Sequence, residues 1–243
     1  MIIDTGIKVA ISQPTYLSWV GYFEQISRAD VFVFLDSVQF EKQSWQSRNR
    51  IKDNADNPIW LSVPVKKNSL QANVADIEIS QIKPHWYKKH LNSIQTYLGK
   101  TPHLSEIMSL LSDVYDKKHT HLSQLNIDLI TAVCEKLELD TVLLKSSDLQ
   151  LTGYKSALLV NILEELNATT YLANAGSKAY LDLDNALFKS KNIEICYQDW
   201  IPPYYKQKNG SFTPYLAWVD AVAYQGFNAQ ALFANSTDQI RSG

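Results

Sequence analysis

Two incompatible hydrophobic periodicities alternate within the first thirty-five residues, and that alternation restricts the fold more than any other feature. Ile7–Ser12 (IKVAIS) is a short β-rich run that stops at Gln13-Pro14, where a proline cannot continue a hydrogen-bonded ladder. From about Trp19 to Ala29 the apolar Trp19, Val20, Phe23 and Ile26 recur at helical spacing. Val31-Phe32-Val33-Phe34-Leu35 is then an unbroken apolar run, the pattern of a strand covered on both faces of a parallel sheet. Strand, turn, helix and buried strand predict a βαβ unit. Its first loop lies at the carboxyl edge of the sheet, where open α/β folds bind ligands.

The rest of the chain continues the alternation. Trp60–Val65 reads as a strand near a sheet edge, because Pro64 interrupts it, and Ile77-Glu78-Ile79 as a shorter one. His85–Leu98, Ser105–Tyr115 and Leu122–Leu137 carry apolar residues at helical intervals, so a helical segment is expected at about 85–137. Strands are expected at Thr141–Leu144, Thr169–Ala173 and Ile193–Tyr197, and helices at Ala157–Leu166 and Tyr215–Tyr224, the last closed by Gly226. The prediction is an α/β fold, Rossmann-like, with a mostly parallel sheet and a helical central insertion. With no internal repeat and no low-complexity linker, the 243 residues are expected to form a single domain spanning 1–243.

Charge removes several classes of function. With 23 basic and 25 acidic residues the net charge is -2, so no global field favours nucleic acid or an anionic membrane. No run of eighteen apolar residues and no secretory leader pattern occurs, which leads to the expectation of a cytoplasmic protein without membrane insertion. Cys134 and Cys196 lack metal-ligand spacing and read as buried free thiols. His85 and His90 are offset on a helix and His119 and His121 flank one threonine, so no metal site is expected and the sequence identifies no cofactor. Aromatic residues reach 11 %, with 6 Trp and 13 Tyr, many beside polar residues in loops; amphipathic rings of this kind stack against sugars, bases and other flat ligands.

The densest aromatic cluster, Gln13-Pro14-Thr15-Tyr16-Leu17-Ser18-Trp19-Val20-Gly21-Tyr22-Phe23, falls on the turn after the first strand. It is followed by Ala29-Asp30-Val31-Phe32-Val33, Val38-Gln39-Phe40 and Trp45-Gln46-Ser47-Arg48-Asn49-Arg50-Ile51. Together these segments resemble the opening of the WbqC-like family. Distal pieces of the same resemblance are Thr169-Thr170-Tyr171-Leu172, Tyr180-Leu181-Asp182, Tyr205-Lys206-Gln207, Phe212-Thr213-Pro214 and Asp220. Ser18 stands where the family pattern has proline, and Ala217 where it has serine. The resemblance implies a place in bacterial surface-polysaccharide biosynthesis.

The layout of the opening is also similar to that of nucleotidylyl transferases and pantothenate synthetase, which carry a His-x-Gly-His turn at the corresponding place. Here Trp19 and Tyr22 replace both imidazoles and cannot supply positive charge to a phosphoryl transition state. What survives is a glycine, Gly21, that allows close approach, flanked by rings. The same rings also suit a helix packing face.

Candidate ligand-binding residues are therefore Gln13, Tyr16, Trp19, Gly21, Tyr22, Gln39 and Trp45, together with a local cationic concentration. Arg48 and Arg50 flank Asn49, with Lys42 and Lys52 nearby. Guanidinium forks match phosphate or carboxylate oxygens, and strand alternation would point both arginines to one face; a solvated strand end is the alternative. Lys155, in Gly153-Tyr154-Lys155-Ser156, precedes a helix whose start can meet an anion or simply be capped. Tyr205 lies in a loop, Tyr204–Pro214, that either closes over the site or connects two elements. Asp36, at the carboxyl end of the most buried strand, is the candidate general base, or else a turn cap.

The expectation is a biosynthetic transferase that moves an acyl or aminoacyl group to the amine of a nucleotide-linked amino sugar in O-antigen or surface-polysaccharide assembly. Its partners would be a nucleotide sugar and an acyl donor, free or carried on a protein. In that reaction Asp36 would take the amine proton, Arg48 and Arg50 would hold diphosphate, and Gln13 and Asn49 would orient the substrate. The competing expectation is a non-catalytic module that binds a sugar nucleotide or a partner enzyme in the same pathway.

Overall fold

The computed structural model describes residues 6–67, 72–208 and 211–234. In chain order the elements are strand β1 (Ile7–Ser12), helix α1 (Val20–Ser27), strands β2 (Val31–Phe34), β3 (Arg48–Lys52) and β4 (Pro58–Ser62), and helices α2 (Trp86–Leu98), α3 (Leu104–Asp116) and α4 (Leu122–Lys136). Then follow β5 (Val142–Lys145), α5 (Ser156–Glu165), β6 (Ala168–Ala173), α6 (Lys178–Leu181), α7 (Asn185–Lys189), β7 (Glu194–Tyr197), α8 (Trp218–Gln225) and α9 (Ala229–Phe233). They group into two compact units. The first comprises Met1–Gln13, Glu24–Ser37 and Leu139–Asp199; the second comprises Pro14–Phe23, Val38–Glu138 and Trp200–Gly243.

The first unit is a five-stranded sheet in the order β5-β2-β1-β6-β7, with every neighbouring pair parallel. The α/β, Rossmann-like reading holds. The chain lays strands outward from β1 in one direction, then returns to add β6 and β7 on the other side, which places the topological switch point between β1 and β6. Gln13 follows β1 directly and is thus at its carboxyl end. The continuous apolar run is explained by position: Phe32, Val33 and Phe34 are buried in an interior strand, as are Val9, Ala10 and Ile11 of β1. The edge strands β5 and β7 are only partly covered. Helix α5 packs Leu158, Leu159, Ile162 and Leu163 inward, and Tyr171 of β6 stacks on Phe188 of α7 with centroids 5.9 Å apart.

Asp30 has a local job at the start of β2. Its carboxylate accepts from the Lys8 amide at 2.8 Å while its own amide donates to the Lys8 carbonyl at 2.9 Å. The first rung of the β1–β2 register is thereby closed by a side chain.

The second unit is mainly helical and carries an antiparallel hairpin, β3–β4, in which Arg48 faces Ser62, Asn49 faces Leu61 and Arg50 faces Trp60. Three amphipathic helices, α2 to α4, bury Ile94, Ile107, Leu111, Leu122 and Ile130. The strand expected at Trp60–Val65 runs instead over Pro58–Ser62, ending where Pro64 removes a donor. Ile77-Glu78-Ile79 makes only single bridges, Val65 to Ile79 and Glu78 to His121, after a 3-10 turn at Val74–Asp76. Helix α8 begins at Trp218, three residues later than expected, because Tyr215 takes a φ of 59°. Helix α9 lacked a periodic signal; Asn228 caps it by accepting from the Ala231 amide. Among the described residues no helix is long and apolar enough to cross a membrane.

Candidate functional site

In the second unit, strand alternation divides the hairpin into two faces. Asn49, Ile51 and Leu61 point into the core, whereas Arg48, Arg50 and Trp60 share the other side. The Asn49 amide is fully used. Its Nδ2 donates to the carbonyls of Tyr16 at 3.2 Å and Leu17 at 2.8 Å, and its Oδ1 accepts from the Arg50 amide at 2.8 Å. Leu17 sits at a φ of 44°, a conformation costly for a side-chain-bearing residue, and the Asn49 clasp holds that turn in place. Asn126 adds a second clasp, donating to the Pro14 and Gln46 carbonyls.

This turn delivers Trp19. A β-carbon at Gly21 would overlap the six-membered ring of Trp19, so the residue is glycine because the indole occupies its side-chain space. Trp19 also meets Tyr215 at 5.2 Å and Trp200 at 5.7 Å between centroids. Its backbone bridges Ala217. Fixed in this way, the indole becomes one wall of a cavity of about 260 Å³, lined by Thr15, Trp19, Tyr22, Trp45, Asn49 and Tyr215. A neighbouring crevice, between Trp19 and the prolines Pro202, Pro203 and Pro214, holds only about 20 Å³, room for a water and no ligand.

Trp45 also lines the cavity and is 49 % exposed. It pairs with Trp60, centroids 5.7 Å apart and planes inclined by 31°, and the Arg48 guanidinium carbon lies 4.4 Å from the Trp60 ring centre. A cation over an indole face is attracted by the ring quadrupole, so Arg48 steadies Trp60 and, through it, Trp45. Arg50 is half-buried, and among the described residues its Nε has no hydrogen-bond partner and neither arginine makes an ion pair. Two guanidinium groups with donors to spare thus lie on the face of the hairpin that carries Trp60.

The remaining candidates are distributed differently. Tyr16 is 0 % exposed; its hydroxyl is 2.8 Å from His90 Nδ1 and 2.5 Å from the Tyr115 hydroxyl. Burial pushes both tyrosines up and holds His90 down at about 4. His90 is also hydrogen-bonded to the Ser62 backbone, so the neutral ring can accept from Tyr16 while donating to Ser62. Tyr16 serves the core. Gln39 is exposed and bridges Asn73. Tyr205 donates to Asp220 Oδ1 at 2.7 Å, and Gln207 Nε2 lies 2.9 Å from the same oxygen; with the Gln207–Thr213 bonds, these tie the Tyr204–Pro214 loop to α8. Burial raises the Asp220 carboxyl above its ordinary range. The glycine turn expected at 209–210 lies outside the described residues.

In the first unit, Asp36 is buried and caps the 3-10 turn Ser146–Leu149. Its carboxylate accepts from the Ser147 amide and hydroxyl, both at 2.9 Å, and from Ser146 Oγ at 3.1 Å. Lys155 is exposed, with its ammonium 5.3 Å from the Tyr154 ring centre. The following helix start already holds a carboxylate, since Ser156 Oγ donates to Asp184 at 2.5 Å. Gln13 is half-buried. Cys134 lies in the second unit, and burial pushes its thiol up to about 12, so it is no thiolate nucleophile near neutral pH. Among the described residues no group of His, Cys, Asp or Glu is arranged to hold a metal ion.

Sequence reasoning missed Thr15 and Tyr215 as cavity residues. Thr15 lay inside the cluster but is not aromatic. Tyr215 is far along the chain from Trp19, at the start of the helix expected over Tyr215–Tyr224; in the fold it precedes that helix, with a φ of 59° and its ring 5.2 Å from that of Trp19.

The chain matches the model of the WbqC-like protein family over residues 13–231. It is 32 % identical over 226 residues to uncharacterized protein Rv1507c of Mycobacterium tuberculosis, strain ATCC 25618 / H37Rv, a match covering 91 % of this chain and 95 % of the relative. No solved structure matches it.

Proposed function

The chain belongs to the WbqC-like protein family, and from that premise we propose that it acts in bacterial surface-polysaccharide assembly on a nucleotide-linked amino sugar, to whose amine an acyl or aminoacyl group is transferred. The observation that carries this reading is the aromatic cavity of Trp19, Tyr22, Trp45 and Tyr215, with Arg48 over Trp60, the ring partner of Trp45. Indole and phenol faces suit the C–H face of a sugar. Unpaired guanidinium groups suit the diphosphate that links a sugar to its nucleoside. The neutral amine attacks the acyl carbon of a thioester directly: the amide C–N bond forms, the C–S bond breaks, and the thiol leaves with the proton the amine gives up, so orienting the two reactants is the contribution asked of the protein.

Titration calorimetry with uridine and thymidine diphosphate sugars tests the binding. We expect binding by the parent chain and at least tenfold weaker binding by Trp45→Ala and Arg48→Ala; no binding of any nucleotide sugar would remove the proposal. Mass spectrometry of the sugar after incubation with acyl thioesters and aminoacyl donors tests the transfer.

The second reading, a non-catalytic module that holds the sugar nucleotide for a partner enzyme, is favoured by the cavity lining, which among the described residues contains no carboxylate, imidazole or thiol. Binding without modification by any donor class would establish it over transfer.

A further inference from the structure

The polarity of the cavity lining says which sugar ring fits. Its volume, about 260 Å³, is below the ~300 Å³ at which sites for drug-sized ligands begin. One ring enters, and a nucleotide attached to it must lie outside. Several hydrogen-bonding groups of the lining are already engaged: both Asn49 Nδ2 protons go to backbone carbonyls, Asn49 Oδ1 takes the Arg50 amide, and Thr15 Oγ1 is 2.6 Å from Ser18 Oγ. The Tyr22 hydroxyl is buried, and burial holds it well above its ordinary range. What remains of the lining is mostly carbon. Of the lining residues, Trp45 and Tyr215 are about half exposed and mark the rim open to water.

An ordinary hexose carries hydroxyls around its whole ring, and one buried without a partner costs binding energy that water supplied before. A ring with a methyl group in place of the hydroxymethyl, and fewer hydroxyls on that side, gains where the hexose loses. We propose that the cavity is selective for a deoxygenated amino sugar, held with its methyl-bearing edge between Trp19 and Tyr22 and its amine at the Trp45–Tyr215 rim. This rests on the reading of the cavity as a sugar-nucleotide site and specifies the sugar.

Three matched probes test it: one nucleoside diphosphate carrying glucose, 6-deoxyglucose or 4-amino-4,6-dideoxyglucose, titrated into the full chain and into Trp45→Ala. The expected result is about tenfold tighter binding from glucose to the 6-deoxy sugar, at least equal binding of the amino-dideoxy sugar, and a preference that shrinks in Trp45→Ala. Trp45 is a half-exposed rim residue, so its removal should spare folding; if that variant unfolds, Trp45→Phe serves instead. Equal binding of all three sugars, or tighter binding of glucose, overturns this inference and leaves the proposed function standing. Binding of none of them, whether on uridine or thymidine diphosphate, overturns both; displacement of the sugars by a short acyl thioester that binds the cavity alone overturns this inference, because the cavity is then the donor's, and leaves the transfer reading standing.

Discussion

The indole of Trp19 fills the space that a side chain on Gly21 would need. The two residues are one device, in which the missing β-carbon of one sets the rotamer of the other, and the rotamer makes a wall of the cavity.

Gly21→Ala should therefore displace the indole. Alanine gains about 1 kcal/mol of helix propensity over glycine, but overpacking against a ring held by Trp200 and Tyr215 costs about 1–3 kcal/mol. The expected net outcome is a lower denaturation midpoint and a shift in tryptophan emission. Adding Trp19→Leu should recover stability beyond the sum of the single effects, a coupling that a double-mutant cycle measures, while leaving sugar-nucleotide binding impaired.

Asn49→Ala should destabilise strongly. It strands the Tyr16 and Leu17 carbonyls inside the core, and each buried unsatisfied group costs about 1–3 kcal/mol. Urea unfolding should show a lower midpoint with an unchanged slope; an unchanged midpoint would mean that the turn does not depend on the clasp.

Arg48→Lys separates charge from stacking. A lysine keeps the positive charge but loses the planar fork and much of its fit over Trp60, an interaction of about 0.5–1 kcal/mol at exposed sites. Binding of a nucleoside diphosphate sugar should weaken less than in Arg48→Met, and only the methionine variant should lose most of the salt dependence of binding.

His90 makes the stability of the second unit fall in acid. Its folded value is held near 4, below the ~6.5 of an unfolded histidine. Between those limits the unfolded chain binds the extra proton, so stability rises with pH through the window and is lost as pH falls from about 6.5 to 4, by about 3 kcal/mol from this group. His90→Gln keeps a partner for the Tyr16 hydroxyl and should flatten that limb in stability measured against pH.

Asp36→Asn should act on the corner after β2. An amide in place of the carboxylate loses one of the acceptors used by Ser146 and Ser147, at a cost of about 1–3 kcal/mol. If Asp36 is a cap and no more, turnover per folded molecule in a transfer assay stays unchanged; a large fall in turnover with intact stability would return it to the role of base.

The amino-acid sequence by itself determined the secondary-structure alternation and the family, because these are written in short-range patterns. Period two and period 3.6 are readable within a dozen residues, and Gln13 to Ile51 brings Thr15, Trp19, Tyr22, Trp45 and Asn49 from a single stretch of chain. Tertiary structure alone decided which of those side chains look into the cavity. Tyr16 and Trp19 are three residues apart in one motif, yet one hydroxyl is spent on His90 and Tyr115 while the other ring lines open space. It also brought Tyr215 against Trp19, and turned Asn49 inward while its neighbours Arg48 and Arg50 face Trp60. Such choices depend on hydrogen-bond partners and packing neighbours up to two hundred residues away, which no local period encodes.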